Sequence, residues 1–198
     1  MVAFLKLRVV FITLLLGLFG GALSLLLKID ELQSYYPALA ALIALCVSLL
    51  ISFLIKGRWT VAFRNQIKKV AVILFSLFIV AALIHTYFFI NSVFKYENFN
   101  GDISYYIKGS VYTAAALKCK KQHPEITSDA AMMTTCFESP EAKTEAWTEE
   151  SINNNVFRLI ISYCAVILFF VGSVSLLTEI LASKYAPKKP VLKHNLIE

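Results

Sequence analysis

Cys119 and Cys136 carry the plainest chemistry in the chain. Two thiols in one polar stretch on an oxidising side of a membrane form a disulfide; the alternative is two unpaired small hydrophobic side chains. The other two of the four cysteines, Cys46 and Cys164, fall inside apolar runs, where a thiol packs as a small hydrophobe. Ionisable groups within those runs are the second candidates, because charge at membrane depth is costly and marks either pairing or function. His85 stands beside Thr86 in the outer third of one run, Arg158 one turn inside the start of another, and Glu179 near the end of that same run. Arg158 can snorkel to outer headgroups and Glu179 can reach the inner interface near Lys184. His85 has no such exit, so it either hydrogen-bonds a neighbouring helix or serves proton sensing or ion passage. A third set, Glu141, Glu145 and Glu149, recurs every four residues. On a helix that spacing gathers the carboxylates on one face, suited to solvent, to a lysine-rich helix end or to a cationic partner.

Catalytic patterns are missing from the sequence. It contains no Gly-x-x-x-x-Gly-Lys-Ser/Thr loop, no His-Glu-x-x-His, no Gly-x-Ser-x-Gly and no Cys-x-x-Cys. His85, His123 and His194 fall in different compartments and make no local metal site. The expectation is a protein without catalytic residues, metal or cofactor, and so not an enzyme.

Four apolar runs position these groups, at residues 9–27, 37–55, 70–90 and 156–181, each close to the ~20 residues that cross a ~30 Å hydrocarbon core. The 198 residues are 58% hydrophobic with a mean hydropathy of +0.68, above the ~45–50% apolar content of soluble domains. Lys6 and Arg8 precede the first run, Lys56, Arg58, Arg64, Lys68 and Lys69 separate the second from the third, and Lys184, Lys188, Lys189 and Lys193 follow the fourth. This alternation predicts cytoplasmic termini, a short outer loop at 28–36 and an outer segment at 91–155. The first run has the basic flank of a signal peptide, but it is longer than the usual ~7–15 apolar residues and is read as a transmembrane helix. The fold expected is therefore all-α and polytopic: three transmembrane helices within residues 1–90, a small disulfide-tied helical extracytoplasmic domain at 91–155, a fourth transmembrane helix at 156–181, and a cytoplasmic tail at 182–198.

Small residues mark the expected helix contacts. Gly17 and Gly21, with Gly20 beside them, form a Gly-xxx-Gly pair in the first helix, and Ala40, Ala44, Ser48 and Ser52 recur along one face of the second. Such seams serve an intramolecular bundle or a homo-oligomer. Trp59, Phe63 and Ile67, flanked by Arg58, Arg64 and Lys68, predict a short amphipathic segment on the cytoplasmic leaflet or a docking site there. In the outer segment, Ile107, Val111, Ala115 and Cys119 keep helical spacing and predict a helix over 104–122, ended by His123-Pro124. A second short helix is expected from Thr127 or Ser128 through Cys136, and a third from the Ser139-Pro140-Glu141 cap to about Ile152. Residues 91–101 have no clear assignment.

The net charge of +6 and pI near 9.1 reside in the cytoplasmic loops and tails, whereas the outer segment is acidic, so the basic side faces anionic lipid and no nucleic-acid partner is expected. No Asn-x-Ser/Thr sequon occurs, in keeping with a bacterial inner membrane. The layout resembles that of tetraspanins, although their Cys-Cys-Gly motif is absent. It is similar as well to disulfide-generating quinone reductases of bacterial inner membranes, whose first outer loop holds a Cys-x-x-Cys that residues 28–36 lack. Both resemblances cover topology alone. The reading reached is an accessory or regulatory subunit, or an immunity or exclusion factor, recognising a membrane or periplasmic protein through its outer domain. The alternative is a self-assembling channel or pore-forming effector.

Overall fold

The structure, a computed structural model, describes residues 32, 35–55, 60–97 and 100–185. The run at 9–27 with Gly17, Gly20 and Gly21, the residues Arg58 and Trp59, and the tail beyond 185 lie outside the described residues. In chain order the elements are α1 (Tyr35–Ile55), α2 (Val61–Ser92), β1 (Val93–Glu97), β2 (Ile103–Ile107), α3 (Ala114–Gln122), α4 (Asp129–Met132), α5 (Lys143–Ala146) and α6 (Glu149–Tyr185). A π-helical turn, Met133–Phe137, follows α4, and a 3-10 turn, Pro140–Ala142, precedes α5.

Among the described residues three helices, α1, α2 and α6, are long and apolar enough to span a membrane. At ~1.5 Å rise per residue, α1 covers about 30 Å, while α2 and α6, with 32 and 37 residues, run well past a ~30 Å hydrocarbon core. The excess has local causes. Thr60 caps α2, its side-chain oxygen accepting the Phe63 N–H at 3.2 Å, so the helix starts before the apolar run and carries Arg64, Lys68 and Lys69 on its first turns. The amphipathic stretch around Phe63 and Ile67 is therefore the foot of α2. Ile67 is buried with Ile55, Ala71, Leu176 and Ile180, and Phe63 packs on that cluster, so this face meets protein.

α6 is the central element. Tyr36 stacks on Tyr163 and Ser48 Oγ lies 3.3 Å from Ser175 Oγ, so α1 runs parallel to α6; Ser173 Oγ donates to the Ala71 carbonyl at 3.2 Å and His85 meets Ser162, so α2 runs antiparallel. Ala40 and Ala44 are buried in the same core as Leu159, Tyr163, Ile167 and Val171. Small side chains let backbones approach, and in lipid such close packing takes the place of a hydrophobic drive.

The insert between α2 and α6 differs from the all-helical expectation. β1 and β2 form an antiparallel hairpin with Val93 opposite Ile107 and Glu97 opposite Ile103. Gly101 at φ +80° makes the turn. The helix expected over 104–122 is thus a strand, a loop and the shorter α3, which starts at the Thr113 cap; Val111 and Ala115, two of the four residues of the spacing, are exposed. The expected third helix is broken as well. Its Ser139 cap and Pro140 are in place, but Trp147 is extended (φ −124°, ψ 151°) and bridges Tyr112, after which α6 begins at Glu149. The break lets the Trp147 ring enter the insert core beside Phe94, Ala116, Met132 and Met133.

Candidate functional site

Two regions hold the functional candidates. The insert is the first. Cys119 and Cys136 are joined by a disulfide that ties α3 to the π-helical turn after α4, with Cα atoms 6.3 Å apart. Ser128 caps α4 by accepting the Ala131 N–H, which brings Asp129 into the first turn. From there the Asp129 carboxylate accepts from Lys108 Nζ at 2.6 Å and from the Tyr112 hydroxyl at 2.9 Å. Lys120 Nζ sits 3.8 Å from the Tyr112 ring centroid, a cation–π contact that docks α3 on the same loop. Asn155 on α6 donates to the Lys108 carbonyl at 2.8 Å, and Gly109 lies so close to Ser151 and Trp147 that a Cβ would clash with both. The Thr113 hydroxyl donates to the Glu145 carbonyl, and backbone bonds Thr113 to Ala146 and Thr148 to Val111 close the join.

Glu141, Glu145 and Glu149 are all exposed, on the 3-10 turn, α5 and the first residue of α6 in that order. They do not share one continuous helix, because the Trp147 break intervenes. Farther along the surface, His123 Nδ1 lies 3.1 Å from Glu125. The Glu125 carboxyl is held below its ordinary range by its own backbone N–H and by His123.

The second region lies between α1, α2 and α6, near the ends of α2 and α6 that adjoin the insert. His85 on α2 is buried, with Nδ1 2.8 Å from Ser162 Oγ on α6, and Ser162 in turn donates to the Leu159 carbonyl at 3.0 Å. The Tyr163 ring lies 5.9 Å from the imidazole and stacks on Tyr36 of α1, centroids 4.2 Å apart. Arg158 is exposed one turn above this group, while Glu179 is buried near the far end of α6. His85, Arg158 and Glu179 therefore do not form one site. Outside the cluster, α2 and α6 enclose an apolar groove of about 350 Å³ lined by Ala81, Ile84, Phe88, Ser162 and Ala165 among others. Among the described residues no group of three His, Cys, Asp or Glu side chains is placed to hold a metal ion.

The sequence pattern gives no site role to Asp129, Lys108 or Tyr163, and it makes Tyr36 an interfacial anchor, whereas the ring is buried against Tyr163. A tyrosine at a membrane boundary reads as an interfacial anchor, and only the packing turns Tyr36 inward. Ser128-Asp129 was legible as a helix start, but nothing in the spacing ties it to Lys108 and Tyr112. No protein family, curated protein or solved structure matches the chain.

Proposed function

We propose that this chain is a non-enzymatic, four-span protein of a bacterial inner membrane whose insert faces the extracytoplasmic side and binds a protein partner. It acts as an accessory or regulatory subunit of a membrane complex, or as an immunity or exclusion factor against an incoming toxin or phage component. The observation that carries this reading is the construction of the insert: a core of its own, a disulfide, a charged hub at Asp129 and a close join to α2 and α6. A preorganised platform of this kind lowers the ordering cost of binding. The Cys119–Cys136 bond favours an oxidising compartment, the basic residues favour cytoplasmic termini, and the run at 9–27 supplies the fourth span. Exposed Glu141, Glu145 and Glu149 give the platform negative charge suited to a cationic surface. A channel built from repeated copies loses one of its seams, because Ala40, Ala44 and Ser48 already face α6 of the same chain.

The test is cross-linked purification of the full chain from its native membrane. A stoichiometric second protein, retained by the unaltered chain and lost from the triple variant Glu141→Lys, Glu145→Lys, Glu149→Lys, is the expected result. A uniform particle containing this chain alone overturns the reading.

A further inference from the structure

The apolar groove between α2 and α6 opens on the side of α6 turned away from α1. Ile161 and Ala165 line it, each two residues from the Tyr163 that stacks on Tyr36 of α1, and two residues are about 200° of helical turn. Its floor is made of small side chains, Ala81, Ser162 and Ala165, between bulky walls such as Ile84 and Ile161, which are 46% and 51% exposed. The Ser162 hydroxyl is engaged by the Leu159 carbonyl and His85, so an occupant meets apolar surface.

This groove ends at a cation. His85 beside Ser162 fixes the register of the antiparallel pair, and four residues nearer the insert on each helix that register sets Arg158 level with Phe89, next to the groove residue Phe88. Arg158 precedes Ile161 by three residues and Ser162 by four, so it shares their face of α6, and helical side chains lean toward the N-terminus, here the insert end. It is exposed, and among the described residues its guanidinium has no hydrogen bond or ion pair. From Phe88 to Leu77 the groove runs about 16 Å at ~1.5 Å rise per residue, against ~15 Å for half of a ~30 Å hydrocarbon core. A groove one leaflet deep, apolar along its length and cationic at its mouth, matches the shape and charge of a phospholipid.

We propose that this groove holds an acyl chain of an anionic phospholipid from the leaflet on the insert side, with its phosphodiester on Arg158. The inference rests on the proposed placement of α2 and α6 across a bilayer. A guanidinium can donate to two phosphate oxygens at once. A phosphatidylcholine headgroup would set a second cation beside Arg158 and phosphatidylglycerol does not, so the site selects the anionic lipid. A helix from a second copy would cover the walls without giving Arg158 an anion. The run at 9–27 leads into Leu32, which is buried with Tyr36 and Tyr163 in the core that α1 shares with α6.

The test uses the full chain in nanodiscs of equal parts phosphatidylglycerol and phosphatidylcholine, with a photoreactive diazirine on the acyl chain of one lipid at a time and labelled peptides mapped by mass spectrometry. The phosphatidylglycerol probe should label Ile84, Ile161 and Phe169 several-fold more than Leu42 and Leu45, exposed residues of α1 in the same leaflet, and the phosphatidylcholine probe should show no such preference. Phosphatidylglycerol retained after detergent release should fall about tenfold in Arg158→Gln, which removes a charged donor from an exposed position. Ala165→Phe, which fills the floor, should abolish the preferential groove labelling with Arg158 intact. Benzoylphenylalanine in place of Ile161 should capture lipid. Equal labelling of the groove and of α1, retention unchanged in Arg158→Gln, or capture of a second copy or of residues 9–27 in place of lipid overturns the site and leaves the membrane placement standing. Lipid labelling absent from α1, α2 and α6 alike overturns both.

Discussion

At the scale of single residues, the insert is most exposed to damage at Asp129, Gly109 and the cysteine pair. Asp129→Ala strands the Lys108 ammonium and the Tyr112 hydroxyl at once, in a site where Lys108 and Asp129 side chains are 23% and 17% exposed. The expected loss is about 1.5–3 kcal/mol, the usual range for a hydrogen bond to a charged group, read by denaturant unfolding with Trp147 fluorescence as the probe. Gly109→Ala drives a methyl into the Ser151 hydroxyl and Trp147 Cβ, and an overpacked site of this kind costs about 1–3 kcal/mol in the same assay. Removing the disulfide with Cys119→Ser releases a loop whose ends are 17 residues apart, for which the chain-entropy model gives about 3 kcal/mol. Free thiols at both positions in unreduced protein would contradict that link. The cysteines were legible because parity and compartment suffice to pair them. Asp129 was not, since its partners lie 21 and 17 residues away and obey no local spacing. His85 stood out as a polar residue in an apolar run, yet its partner Ser162, 77 residues on, could be found only by folding the chain.

At the scale of elements, length and apolarity revealed the long apolar helices α1, α2 and α6 but not their ends, which polar caps and charged turns decide. The hairpin was hidden for a different reason. Ile107, Val111, Ala115 and Cys119 satisfy a four-residue spacing across a strand, a loop and a helix, so the period matches by accident. The better signal was the Asn100-Gly101 dipeptide between two aromatic and β-branched runs, which supplies the left-handed position in the five-residue connection between Glu97 and Ile103. Gly101→Ala has open space around its Cβ and a φ of +80°, so its cost is backbone strain alone, about 1–2 kcal/mol. Gly101→Asn should lose less, because asparagine tolerates left-handed geometry. Among the long apolar helices, Ala44 and Ser173 are 3% and 0% exposed at the contacts of α6 with α1 and α2. Ala44→Leu or Ser173→Leu should force the helices apart, read as a lowered thermal midpoint in detergent, while Leu49→Ala on the exposed side of α1 should leave it nearly unchanged.

At the scale of the whole molecule, orientation and mechanism are separable. If the basic residues between the second and third apolar runs and in the tail face the cytoplasm, cysteines introduced at Lys69 and Lys188 should be out of reach of an impermeant thiol reagent in intact cells, and one at Glu141 should be within reach. Labelling at Lys69 would overturn the four-span arrangement without touching the described helices. Recognition and conduction then make opposite demands on the chain. If the insert works by binding, reversing Glu141, Glu145 and Glu149 to Lys should abolish function while abundance and insertion persist, since exposed charges contribute little to fold stability. If copies assembled into a pore, those reversals would matter little, and bulky residues at Gly17 or Gly21 would abolish conductance by separating the helices that line it. A conducting path also needs a polar lining, and the exposed faces of α1 and α2 are rich in Leu, Ile, Val and Phe, with Leu45, Leu49, Ile73 and Val80 among them. Purified protein in a planar bilayer should therefore pass no selective current, and a current that survives the three charge reversals would sink the recognition reading.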